Sequence, residues 1–110
     1  MEKKLGVVRI APNVLATIAR LTALAVPGVI RLGNAPGFLG RRLSGEGAQI
    51  DVSEGAVAVQ MYLVAEQGKN LLTLSREVQA EVTRAISDMV GMPVREVNVH
   101  IVDVEEAQRS

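Results

Sequence analysis

Cysteine is missing from this 110-residue sequence, and aromatic residues are scarce, with one Phe, one Tyr and no Trp. Without thiols the chain forms no disulfide, no thiolate metal site and no cysteine nucleophile. So few rings leave little for the base-stacking platforms that bind single-stranded nucleic acid. The interior must therefore be built from aliphatic side chains, and recognition of nucleic acid by stacking is disfavoured.

An excess of either charge is also lacking, because twelve basic residues balance twelve acidic ones. A neutral chain without runs of one sign lacks the basic footprint of a general nucleic-acid binder, and it has no polybasic cluster for anionic lipid. The longest apolar stretch, Val14 to Val26, is interrupted by Thr17, Arg20 and Thr22 and is too short to span a bilayer. We expect a cytoplasmic protein that does not insert into the membrane.

The length and the 48% hydrophobic content predict one domain with one core, covering residues 1–110. Glycines are concentrated between residues 33 and 47, which predicts an irregular Gly-rich loop. The polar end, residues 105–110, is expected to fray.

In the N-terminal half, alternating apolar residues predict a strand over Leu5–Ala11, and Pro12 then suits the first turn of a helix. Pro27 and Gly28 end that helix, and a short strand over Val29–Leu32 follows. The helix is expected to bury one apolar stripe, made of Val14, Ile18, Leu21 and Ala25.

The C-terminal half predicts a hairpin, with strands over Gln49–Val52 and Ala56–Ala65 joined by three residues, then a helix over Leu71–Val90 and a strand over Val94–Val104. The expected buried stripe of this helix is Leu71, Leu74, Val78, Val82, Ile86 and either Met89 or Val90. The predicted fold is therefore an α+β two-layer sandwich of order β-α-β-loop-β-β-α-β, with two helices on one face of a mainly antiparallel sheet.

Several short motifs in this order resemble the alkaline-shock protein family, the envelope stress response proteins of mostly Gram-positive bacteria. They are Gly68-Lys69-Asn70-Leu71, Arg76-Glu77-Val78-Gln79, Met89-Val90-Gly91-Met92-Pro93-Val94 and Val97-Asn98-Val99-His100-Ile101, with Gly6-Val7-Val8-Arg9-Ile10 and Val26-Pro27-Gly28-Val29 upstream. The chain departs from the family pattern at Gln67, where an aromatic is common, and at Ala11, where a serine often caps the helix.

The resemblance implies a cytoplasmic bacterial protein with a role in envelope stress and no enzymatic activity. Family members self-associate or are held near the membrane by a membrane-embedded partner. We therefore expect a non-enzymatic scaffold or adaptor that forms a homo-oligomer or docks on a membrane-anchored protein. No catalytic, cofactor-binding or metal-binding residue is predicted, and no small-molecule substrate.

Two surfaces are candidates for that contact. Period-two alternation places one set on the face of the sheet that the helices leave uncovered, namely Gln60, Tyr62, Asn98 and His100. The second set lies in the Gly-rich loop, where apolar anchors stand beside arginines, namely Phe38, Leu39, Arg41 and Arg42. The interpretation that we favour for Phe38 and Leu39 is, however, a structural plug that folds back over the sheet edge.

A small RNA-binding module is the alternative function. Gly37-Phe38-Leu39-Gly40 followed by Arg41 and Arg42 is similar to the loop that clamps nucleic acid in KH domains, and Arg31 could add a contact. In KH domains, however, the loop joins two helices, whereas here it follows a strand. Binding through phosphates would weaken steeply with salt, and an apolar protein interface would not.

Overall fold

A computed structural model describes residues 4–35 and 47–107. Within these ranges the chain forms two helices and four strands around one hydrophobic core. In chain order they are α1 (Pro12–Leu24), β1 (Val29–Leu32), β2 (Ala48–Ser53), β3 (Ala56–Glu66), α2 (Leu71–Val90) and β4 (Val94–Glu105).

The sheet is organised around β3, which pairs with all three other strands of the described ranges. Along one side β4 runs parallel to it from Val57 to Glu66. Along the other side β2 pairs antiparallel with the first half of β3, and β1 pairs antiparallel with the second half, so β1 and β2 lie end to end. The predicted mainly antiparallel sheet is confirmed, and the single parallel pair follows from the crossover through α2.

The turn between β2 and β3 is tighter than the sequence predicted. Ser53 pairs with Ala56, so only Glu54 and Gly55 connect the strands. Both have positive φ, at 53° and 77°, which is the type I′ geometry whose twist matches that of paired strands. The expected three-residue connection is therefore wrong by one residue.

Both helices pack on the same face of the sheet, as the two-layer prediction requires. On β3 the core-facing residues Val57, Val59, Met61 and Leu63 are completely buried. They alternate with Ala58, Gln60 and Val64, which belong to the opposite face and lie outside the core cluster. We call this opposite face, which neither helix covers, the open face.

Local capping sets the ends of α2. The side chain of Asn70 accepts a hydrogen bond from the backbone N–H of Thr73 at 2.9 Å, and Gly91 ends the helix in the left-handed conformation with φ of 76°. The buried stripe is Leu74, Val78, Val82 and Ile86. Of the predicted stripe, Leu71 is instead 38% exposed, because it lies at the edge of the covered face. Of the two alternatives for the last member, Val90 packs partly against the core and Met89 is 70% exposed.

The buried face of α1 differs from the predicted one. Its buried residues are Leu15, Ala16, Ala19 and Ala23, while Ile18 packs against the core only in part. The predicted members Val14, Leu21 and Ala25 are exposed. Alanines have little side chain, so a helix that turns them inward can lie closer to its neighbours than one that turns larger residues inward. That close packing outweighs the greater hydrophobicity of the face predicted from sequence.

Residues 4–11 form no strand, so the prediction over Leu5–Ala11 is also wrong. Leu5, Val7 and Val8 are 94%, 76% and 88% exposed. A segment with alternating apolar residues forms a strand only when a neighbouring strand completes its backbone hydrogen bonds. No strand of the described ranges lies beside residues 4–11. We call residues 4–11 the N-terminal arm.

Candidate interaction surface on the open face of the sheet

The open face brings together the residues predicted for it. Gln60 lies opposite Asn98 and Tyr62 opposite His100 in the parallel register of β3 and β4. Residues two apart in a strand share a face, so the four side chains form one compact group at the middle of the sheet. His100 is exposed and the other three are partly buried.

These side chains hold one another in place. The imidazole Nε2 of His100 lies 2.7 Å from Oε1 of Gln60, which accepts a hydrogen bond from the tautomer that carries its proton on Nε2. The rings of His100 and Tyr62 are stacked, with centroids 4.8 Å apart and planes inclined by 13°. Asn98 donates a hydrogen bond to the carboxylate of Glu96. The group is therefore an ordered platform of polar side chains and one stacked ring pair, of which His100 is the most exposed member.

Two ion pairs cross β3 on either side of this platform. At one end Nη2 of Arg31 lies 2.7 Å from Oε2 of Glu105, and at the other Nη2 of Arg95 lies 3.3 Å from Oδ2 of Asp51. Each pair joins a strand on one side of β3 to the strand on its other side. The residues of β3 that lie between the paired side chains are small and nearly inaccessible to solvent. Val64, beside Arg31, is 1% exposed, and Ala58, beside Asp51, is 7% exposed.

Sequence reasoning missed these ion pairs. The partners are 74 and 44 residues apart, so no local pattern reveals them. Only the strand register, with Arg31 beside Val64 and Asp51 beside Ala58, brings them to the same face.

Among the described residues, the open face has more acidic than basic side chains once the two ion pairs are matched. Glu96 and Asp103 lie on it opposite Ala58 and Val64, and both are exposed. Neither forms an ion pair with any residue of ranges 4–35 and 47–107. A ligand that contacts this part of the face would therefore meet hydrogen-bonding groups, a stacked ring pair and these two carboxylates.

The described glycines on either side of the segment that carries the other predicted residues are bonded to the platform strand β3. The backbone N–H of Gly33 donates to the carbonyl of Tyr62 at 2.8 Å, and the N–H of Tyr62 donates to the carbonyl of Gly47 at 2.9 Å. Phe38, Leu39, Arg41 and Arg42 themselves lie outside the described residues. Arg31, the further cation of the RNA-binding alternative, is bonded to Glu105.

Among the residues described here, no group of three or more His, Cys, Asp or Glu side chains could hold a metal ion. Neither described helix is long and apolar enough to cross a membrane.

The fold defines the class of protein: a two-layer α+β domain with helices on one face of its sheet and an ordered polar platform on the other. Two solved structures share the fold, a zinc form and a nickel form of the MamM CTD, with TM-scores of 0.50 and 0.53. They are 12% and 11% identical in sequence to this chain. Each alignment covers 87% of this chain, and it covers 86% of the zinc form and 99% of the nickel form. At such identity the likeness concerns the fold alone.

The particular family follows from sequence. Residues 1–106 match the model of the alkaline shock protein 23 family, described as having a cell envelope-related function, and the chain belongs to this family. The resemblance of the short motifs is thereby confirmed.

Two relatives are the uncharacterized proteins YqhY of Bacillus subtilis (strain 168) and Spy1535 of Streptococcus pyogenes serotype M6. YqhY is 30% identical over 109 residues, which are 94% of this chain and 81% of the relative. Spy1535 is 32% identical over 101 residues, which are 88% of this chain and 78% of the relative.

Proposed function

We propose that this chain is a non-enzymatic scaffold or adaptor domain of the cell envelope, linked to the envelope stress response, which acts by binding other proteins. It works on the cytoplasmic side as one domain and reaches the membrane through a membrane-associated partner protein. Family membership supports the link to the envelope. The observation that carries the docking role is the ordered platform of Gln60, Tyr62 and His100 on the open face.

Pre-organisation makes this platform suitable for binding. Tyr62 is held by its stack on His100, and His100 is held by Gln60, so little side-chain freedom remains to be lost when a partner arrives. A fixed Tyr presents apolar area together with a polar tip, which is why tyrosine is common among the residues that dominate interfaces.

Charge indicates the kind of partner. Glu96 and Asp103 give the open face its acidic excess, so we propose that it receives a basic segment of the membrane-associated protein. Complementary charge raises the rate of encounter and rejects acidic competitors. Such binding weakens as salt screens the charges.

Site-specific photocrosslinking in bacterial cells that contain the natural partners would test this function. A photoreactive residue at Gln60 is expected to give a discrete adduct with a protein of the membrane fraction. The matched control is Thr83, which is exposed on α2, away from the open face. Tyr62→Ala should reduce the yield at position 60 by about tenfold or more, because it removes the anchor.

The same adducts at positions 60 and 83 would contradict docking through the open face. Adducts between two copies of the chain alone would contradict the membrane-associated partner and reassign this face to self-association.

A further inference from the structure

The helix α1 carries a second apolar face that the fold does not use. Val14, Leu21 and Leu24 are 45%, 65% and 43% exposed, and Thr17 lies in line with them. The spacings of three, four and three residues, from 14 to 17, 21 and 24, are those of the a and d positions of a coiled coil. We call these four residues the α1 stripe. It lies opposite Leu15, Ala19 and Ala23, which face the core.

The composition of α1 is unusual for a helix that faces solvent. Among its thirteen residues only Arg20 is charged, whereas α2 has Arg76, Glu77, Glu81, Arg84 and Asp88 among its twenty. A solvated helix face ordinarily carries charge. The α1 stripe therefore has the composition of a covered surface.

The polar atoms of the stripe can be covered without loss. The Thr17 hydroxyl donates to the carbonyl of Asn13 at 2.9 Å and accepts from Nη2 of Arg20 at 3.0 Å. Its hydrogen bonds are thus made within its own helix, so burial leaves no unpaired donor. Arg20 is turned toward Thr17 at the margin of the stripe.

We propose that the α1 stripe and the N-terminal arm form the interface between two copies of this chain, with the two α1 helices side by side and parallel. This goes beyond the proposed function, because it assigns self-association to a surface that is separate from the open face. A stripe with a and d spacing is complementary to itself, as a two-fold interface requires.

Area and charge both favour a second copy. The exposed surface of Val14, Leu21 and Leu24 together with Leu5, Val7, Val8 and Ile10 of the arm is roughly 800 Å². This is an upper bound on the apolar area that these residues can bury, and it is on the scale of the ~800 Å² per partner of a stable interface. A parallel pair sets Arg20 opposite the uncharged Ala25 of the other copy, whereas an antiparallel pair would bring the two Arg20 side chains together.

The experiment compares Leu21→Glu with a matched control, Leu72→Glu, by sedimentation velocity over a concentration series. Leu21 and Leu72 are 65% and 66% exposed, but Leu72 lies at the start of α2 and outside the stripe. We expect the native chain and L72E to be dimers and L21E to associate at least ~30-fold more weakly, because a carboxylate would be buried without a partner. Circular dichroism should show both variants folded.

Single cysteines test the orientation, since the chain has none of its own. Leu24→Cys should form a disulfide-linked dimer on oxidation because a parallel pair places position 24 of both copies together, and Leu72→Cys should not. If instead V14C and L24C crosslink only when mixed with each other, the pairing is antiparallel and the proposed orientation is wrong.

The salt dependence of association distinguishes this interface from docking through the open face. High salt should leave the dimer intact, because apolar contacts are not screened, whereas docking of a basic segment on the open face should weaken. A dimer that persists in L21E would show that the α1 stripe is not the interface, although the chain still self-associates. Self-association would be wrong, and the interface with it, if the native chain stays monomeric at every concentration. The same conclusion would follow if the chain binds anionic vesicles through Leu21 as a monomer. Docking through the open face would then be the part of the function still to be tested.

Discussion

Gly47→Ala should be among the more damaging single-methyl changes in this chain. Gly47 has φ of 83°, a conformation that costs an L-residue about 1–2 kcal/mol. A Cβ at this position would also stand 2.5 Å from Cβ and 2.8 Å from Cδ1 of Leu32, where the end of β1 meets the start of β2. Because Cβ of Leu32 moves only with its backbone, the overlap adds about 1–3 kcal/mol.

Two other glycines separate these contributions. Gly91→Ala tests backbone conformation alone, since its φ is 76° and nothing lies within 4 Å of the added carbon. Gly33→Ala tests contact alone, since its φ is not in the left-handed region and the Cβ would lie 2.5 Å from Cγ2 of Val102. Val102 is 40% exposed and can turn aside, so this change should cost about 1 kcal/mol and be relieved by Val102→Ala.

Urea unfolding followed by far-ultraviolet circular dichroism is the suitable assay, because the chain has no Trp to report by fluorescence. Gly47→Ala is expected to lose about 2–5 kcal/mol of unfolding free energy, and Gly91→Ala about 1–2 kcal/mol. Equal losses in the two variants would refute the argument, because they would show that the contact with Leu32 contributes nothing.

Three further changes test packing, capping and surface charge by the same assay. Leu15→Ala should cost about 2–5 kcal/mol because Leu15 is completely buried; a loss below 1 kcal/mol would contradict its place in the core. Asn70→Ala should cost about 1 kcal/mol by removing the acceptor for the Thr73 N–H, and Asn70→Asp should restore most of it. A double-mutant cycle on Arg31 and Glu105 should give a coupling below about 1 kcal/mol that falls with salt, because both side chains are more than a third exposed; a coupling insensitive to salt would argue against an exposed ion pair.

Much of the sheet and of the candidate site could be predicted from period-two alternation. That pattern predicts which residues of β3 and of β4 share a face, and so it placed Gln60, Tyr62, Asn98 and His100 on the uncovered side of the sheet. It says nothing about register. The contact between His100 and Gln60, and the ion pair of Arg31 with Glu105, depend on which residues stand opposite each other across strands distant in sequence.

The N-terminal region shows why apolar periodicity alone can mislead. The helix α1 is apolar nearly all round, so its pattern is compatible with more than one buried face. The choice was decided by the close approach that Ala19 and Ala23 allow, which depends on the neighbouring elements. Likewise, the alternation over Leu5–Ala11 predicts a strand, but whether a strand forms depends on a partner.

The double attachment of Tyr62 to Gly33 and Gly47 has a practical consequence for engineering. Both bonds are made by the backbone of Tyr62, so they do not depend on its side chain. Substitutions or labels at position 62 should therefore alter the platform without releasing Gly33 and Gly47 from the middle of β3. Because the sequence has no cysteine, a single cysteine introduced there would carry one label at a known place on the open face.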